Sequence, residues 1–231
     1  MGPKYFYKEC KIIYLLSITQ FEICVQYNDN PIRNIIFDLG GVLLNIDYNL
    51  CVEEFRKLGM KEFDLLYSKA RQSDLFDKLE TGKISASDFR SEIKRFLRSD
   101  ASDIQIDEAW NAMLLDMPKE RMNLLLSLKK KYKIFLLSNT NEIHIKKLSE
   151  ILTRSFNVPD LSHVFEKVYF SHLIKLRKPE QEFFELVLSE NNLIAEETLF
   201  IDDSLQHIEG ARKSRINALH LVKEKTILDL F

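Results

Sequence analysis

A chain of 231 residues, 45% hydrophobic and 29% charged, has the balance of a soluble globular protein and is long enough for one large domain or one domain plus an insertion. A formal net charge of -2 excludes a bulk field that would draw nucleic acid. Cys10, Cys24 and Cys51 are too few and too scattered for a disulfide framework or a zinc site, and they fit a reducing cytoplasm.

Residues 1–30 read as an N-terminal extension, expected to be poorly ordered. Lys4, Lys8 and Lys11 precede the apolar run 12–16, but Gln20 and Glu22 end that run too early for a membrane span. No small-residue cleavage site of a signal peptide lies between Gln20 and Asn30. The stretch 28–31 reads as a loop.

Residues 33–39 then give the pattern of a strand buried on both faces, with Ile35, Ile36 and Phe37 as a continuous apolar run. From 48 to 112 the apolar residues recur at helical spacing, with a break at Thr81-Gly82-Lys83. Ser85 is a candidate N-cap, with Asp88 at the capping-box offset. A further helix is expected over 107–115. Residues 47–115 thus form a helical insertion between the first strand and the second. Lys57, Lys61, Lys69, Arg71 and Lys78 lie on it, as charges that are mostly solvated surface on helices.

After Pro118 the pattern alternates. Helices are expected over 119–131, 142–152, 180–191 and 205–214, and strands over 133–137, 164–170, 198–201 and 218–222. This predicts an α/β fold, a Rossmann-like parallel sheet with helices on both faces, built from 31–46 and 116–231 and carrying the helical cap 47–115.

Polar residues end three of the apolar runs. Asp38 follows Ile35-Ile36-Phe37, and a carboxylate there must meet solvent, a cation or a ligand. Ser138-Asn139 follows the run 134–137, where a hydroxyl and free backbone N–H groups can hold phosphate oxygens; capping the next helix is the other role open to Ser138. Lys178-Pro179 stands before a helix, its lysine a point charge for phosphate or a solvated helix start. Asp202-Asp203 ends Leu199-Phe200-Ile201, and two adjacent carboxylates repel unless a cation stands near. Hard oxygen ligands beside a phosphate favour Mg²⁺.

In their order and spacing, Phe-Asp-Leu-Gly-Gly-Val at 37–42, Leu-Ser-Asn-Thr at 137–140, Arg-Lys-Pro-Glu at 177–180 and Phe-Ile-Asp-Asp-Ser at 200–204 resemble the haloacid dehalogenase superfamily. The details are similar to its α-glucose-1-phosphate phosphatases and to the N-terminal domain of soluble epoxide hydrolases. The resemblance implies a Mg²⁺-dependent phosphatase in the cytoplasm, acting on a small phosphorylated metabolite such as a sugar phosphate, with no nucleic-acid or membrane partner. Asp38 would then be the nucleophile and a metal ligand, and Lys178 would neutralise it. Ser138 and Asn139 would hold the phosphoryl group, while Asp202, Asp203 and the Gly40 carbonyl would serve the metal. The departure is Gly40, where such phosphatases carry an acid–base aspartate worth ~10²–10⁴-fold in rate. Asp47, at the entry to the cap, is the candidate substitute, or simply the cap of the helix it precedes; His172 and His207 are weaker candidates. A domain that binds without turnover, or a metal-free dehalogenase, are the competing readings.

Overall fold

The computed structural model describes residues 13–15, 24–27, 30–60, 74–97 and 100–231. Strands β1 (Ile13–Leu15), β2 (Cys24–Tyr27) and β3 (Asn30–Pro31) form an antiparallel sheet. Asn30 and Pro31, expected in a loop, pair with Tyr27 and Gln26 instead. The rest of the N-terminal extension lies outside the described residues.

The body of the molecule is a five-stranded parallel sheet of β4 (Asn34–Phe37), β5 (Lys133–Ser138), β6 (Lys167–Phe170), β7 (Thr198–Asp202) and β8 (Asn217–His220). Its order is β6-β5-β4-β7-β8. Alternate residues of the apolar runs feed two cores. Ile35, Phe37, Ile134, Leu136, Leu199 and Ile201 face one core with Leu125 and Leu152. Ile36, Phe135, Leu137 and Phe200 face the other with Phe183, Phe184 and Ile208. The helices supplying those partners are α5 (Lys119–Leu128), α6 (Glu142–Phe156), α8 (Gln181–Glu190) and α9 (Leu205–Lys213).

A third core belongs to the cap, where Phe55, Leu79, Phe89, Ile106 and Trp110 pack together. They come from α1 (Tyr48–Lys57), α2 (Leu75–Glu80), α3 (Ala86–Phe96) and α4 (Asp103–Asn111). Ser85 and Asp88 make the expected capping box. The expected helix 107–115 instead runs Asp103–Asn111, because Ser102 and Gln105 form a second capping box upstream. Lys57 pairs with Glu54 at the surface; Lys61, Lys69 and Arg71 lie outside the described residues.

Other boundaries moved for local reasons. The expected strand 164–170 shortens to β6, since Val164 and Phe165 donate their N–H groups to the Leu161 carbonyl in a turn. A four-residue helix, α7 (Ser171–Ile174), follows β6 directly and was too short to leave a periodic signal. Pro118 occupies the N-cap of α5, and Pro179 stands before the Glu180 cap of α8, as expected of a residue that precedes the helix.

Candidate active site

Sheet register gathers the polar strand ends. Phe37 pairs with Leu136 on one side and Ile201 on the other, so Asp38 and Asp202 follow at one level and Ser138 lies a residue further. Asp38 donates its own backbone N–H to the Ile201 carbonyl at 2.9 Å. The cleft therefore opens at the carboxyl ends of the central strands, where open α/β sheets bind ligands.

Lys178 is wholly buried, at 0% exposure, and its Nζ donates to Asp38 Oδ1 and to Asp202 Oδ2, each at 2.7 Å. It also lies 5.4 Å from the centre of the Phe200 ring. The alternative of a solvated helix start is thereby excluded. Burial alone would lower the lysine's pKa, but Asp202 and Asp38 raise it, so the ammonium form is held. The Asn139 side chain fixes the lysine's backbone, accepting from Lys178 N–H and donating to the Lys178 carbonyl, both at 2.9 Å. This side-chain role was not legible in the sequence, where only the Asn139 backbone was considered.

Asp38 is 7% exposed, and burial pushes its carboxyl up to about 7, against Lys178 and with help from the Asp202 charge. Asp202 behaves oppositely. Burial would raise it, yet Lys178 and His207 hold it down to about 2. His207 Nδ1 lies 3.0 Å from both Asp202 oxygens, which ties this histidine to the acid and not to a leaving group. Exposed Asp203 is raised by its partial burial and by Asp202. Oxygen atoms of Asp38, Asp202 and Asp203 all lie within 4.8 Å of one another. Three hard donors at that spacing, with one lysine for their charge, suit a hard divalent cation such as Mg²⁺.

Ser138 is buried at the same strand ends. It does not cap the following helix, because the Asn141 side chain accepts from Ile143 and His144 N–H groups. Ser171 braces Thr140, two residues on from Ser138, accepting from Thr140 N–H and donating to the Thr140 carbonyl.

Two glycines shape the turn after Asp38. Gly41 has φ +71, and a Cβ there would meet Asp203 Oδ2 at 2.2 Å. At Gly40 no positive φ is needed; a Cβ would instead meet Ile46 Cδ1 at 2.3 Å. A side chain at position 40 would thus require the end of Ile46 to turn aside.

Asp47 is the N-cap of α1, its Oδ1 accepting from Asn49 N–H at 2.9 Å and from Asn49 Nδ2 at 3.0 Å. It does not line the cleft cavity, and neither does His172 on α7. That cavity, about 550 Å³, lies between core and cap and is walled by Gly40, Ser138, Asn139 and Thr140 below and by Ile46, Phe76, Glu80 and Trp110 above. Arg177, beside Lys178, crosses to the cap and forms ion pairs with Asp77 and Glu80.

Among the described residues, no helix is long and apolar enough to cross a membrane. Residues 32–215 match the family model of haloacid dehalogenase-like hydrolases. A D-ribitol-5-phosphate phosphatase of Bacteroides thetaiotaomicron is 32% identical over 177 residues, covering 77% of this chain and 85% of the relative. A sesquiterpene phosphatase of Aspergillus oryzae is 26% identical, covering 80% and 88%. In structure, a haloacid dehalogenase family enzyme of Bacteroides thetaiotaomicron, solved with magnesium and inorganic phosphate, superposes with a TM-score of 0.79 at 36% identity, over 87% of this chain and 99% of that one. With its parallel sheet, its inserted cap and a family match over most of its length, this chain belongs to the haloacid dehalogenase-like hydrolases.

Proposed function

We propose that this protein is a Mg²⁺-dependent phosphatase that cleaves a small phosphorylated metabolite, a sugar phosphate in the simplest case, through an aspartyl-phosphate on Asp38. The observation that carries the reading is the buried Lys178 bridging Asp38 and Asp202, with Asp203 alongside. A metal-free dehalogenation would leave that carboxylate cluster without work. The phosphatase relatives, and the related enzyme solved with magnesium and phosphate, support it.

In this reading Ser138 and the Asn139 backbone hold the phosphoryl oxygens. An Asp38 oxygen attacks phosphorus and the ester P–O bond breaks; water then attacks the phosphoryl group and frees Asp38. Lys178 balances charge on Asp38 and on the transferring group. Asp38, Asp202, Asp203 and the Gly40 carbonyl would hold Mg²⁺, which supplies positive charge for the phosphate oxygens.

The second reading, a domain that binds without turnover, is favoured by glycine at position 40, which carries no acid–base group. A panel of phosphate esters, assayed in excess chelator and in Mg²⁺, separates the two. Phosphate release only with the metal is expected. Full release in chelator would overturn the metal-dependent mechanism, and no release from any ester would favour the non-catalytic domain.

A further inference from the structure

We propose that Glu80, on cap helix α2, is the general acid and base that position 40 does not provide. The inference rests on the phosphatase reading above. In-line displacement sends the leaving group away from Asp38, out of the sheet end and toward the cap. The cavity that receives it is walled below by Ser138, Asn139 and Thr140 and above by Glu80, the one carboxylic acid lining it among the described residues.

Other proton carriers around that cavity are spent or mismatched. His144 has both ring nitrogens engaged, Nδ1 with Asn141 Nδ2 and Nε2 with the Trp110 carbonyl, and burial pushes it down to about 4. Burial pushes the Cys51 thiol up to about 12. Asp47 is committed to its helix cap.

Glu80 has the opposite character. Its side chain is 24% exposed, but Oε2 is shut away from solvent and has no hydrogen-bond partner. Arg177 Nη2 lies 3.0 Å from that oxygen without hydrogen-bond alignment, so it tethers the carboxyl without a directed hydrogen bond. The charged groups facing Glu80 are Asp77 on its own helix and Arg177 and Lys178 from the core loop. Burial raises the Glu80 pKa, opposed by Arg177 and assisted by Asp77, which is the direction an acid catalyst needs near neutral pH.

The protons balance over two half-reactions. Protonated Glu80 gives its proton to the ester oxygen as that P–O bond breaks and Asp38 takes the phosphoryl group, so the alcohol leaves neutral. Glu80 carboxylate then takes a proton from water as the water oxygen bonds to phosphorus and the Asp38 oxygen departs. Inorganic phosphate is released, and Glu80 is again protonated.

The test is Glu80→Gln in the full-length, Mg²⁺-loaded protein, with the best alkyl ester of the panel and with dinitrophenyl phosphate. The first step of the aryl ester needs no acid. The variant should lose ~10²–10⁴-fold on the alkyl ester, yet release a burst of about one equivalent of phenolate from the aryl ester before slow turnover. If Glu80→Gln melts early, Glu80→Ala with added formate is the second variant, and rescue of the alkyl ester is expected. Equal losses on both esters with no burst, or no rescue by formate, would overturn the role of Glu80 while leaving the phosphatase reading intact. Absence of turnover by the wild type on every ester would sink both.

Discussion

Asp47 illustrates how a carboxylate near a site in sequence can be occupied elsewhere. Both Asn49 donors converge on its Oδ1, and its backbone is extended at φ -135 and ψ 103, as an N-cap requires. Asparagine is as good an N-cap as aspartate, so Asp47→Asn should leave the melting temperature and the turnover of alkyl and aryl esters nearly unchanged. Asp47→Ala should cost about 1 kcal/mol in a denaturant melt, with turnover again little affected. A large, selective loss on the alkyl ester in Asp47→Asn would return Asp47 to the chemistry. Asp38, Ser138, Lys178 and Asp202 were legible because three of them end apolar strands and the fourth precedes a proline just before a helix, each in a fixed order along the chain. Glu80 was not, because in sequence it is one more charge on an amphipathic helix, beside Asp77 and Lys78. Only the docking of α2 over the strand ends gives that charge a site to face.

Among the elements, central strands were easier to read than helix ends. A strand buried on both faces leaves an unbroken apolar run, so β4, β5 and β7 fell within a residue or two of expectation. Helix α6 outran its expected end by four residues because Ile151 and Leu152 do not end the turn; Asn157, in a left-handed conformation, does. The same helix carries the residue that makes the cap–core junction sensitive to acid. His144 stacks on Trp110 of α4, with ring centroids 5.0 Å apart. Its pKa is depressed from 6.5 to about 4 by burial. Between those values the unfolded chain binds the proton and the folded one does not. The contribution of neutral His144 is therefore complete above about pH 6.5 and is lost as pH falls toward 4. Comparing wild type with His144→Gln isolates this group from other titrations. The wild type should lose up to roughly 3 kcal/mol relative to the variant between about pH 7.5 and pH 4.5, read from denaturant midpoints. Parallel pH profiles for the two proteins would exclude the mechanism.

Across the whole molecule, three cores divide the labour: two grip the sheet and one gives the cap its own interior. The backbone of β1, β2 and β3 forms a separate antiparallel sheet. Its chief described contacts run from β1 to β2, from β2 to β3, and from β3 to the turn at Ala195–Glu197. Every site residue follows Ile32. Removing residues 1–29 should therefore leave Mg²⁺-dependent turnover and the melting temperature nearly unchanged; a large drop in either would show that the segment props up the parallel sheet. A different consequence follows from two neighbours in the chain. Arg177 holds the cap through Asp77 and Glu80, while Lys178, one peptide bond away, holds Asp38 and Asp202. Latch and electrode are welded together. Any shift of this loop that loosened the grip of Arg177 on the cap would carry Lys178 with it, and with Lys178 the positive charge beside Asp38.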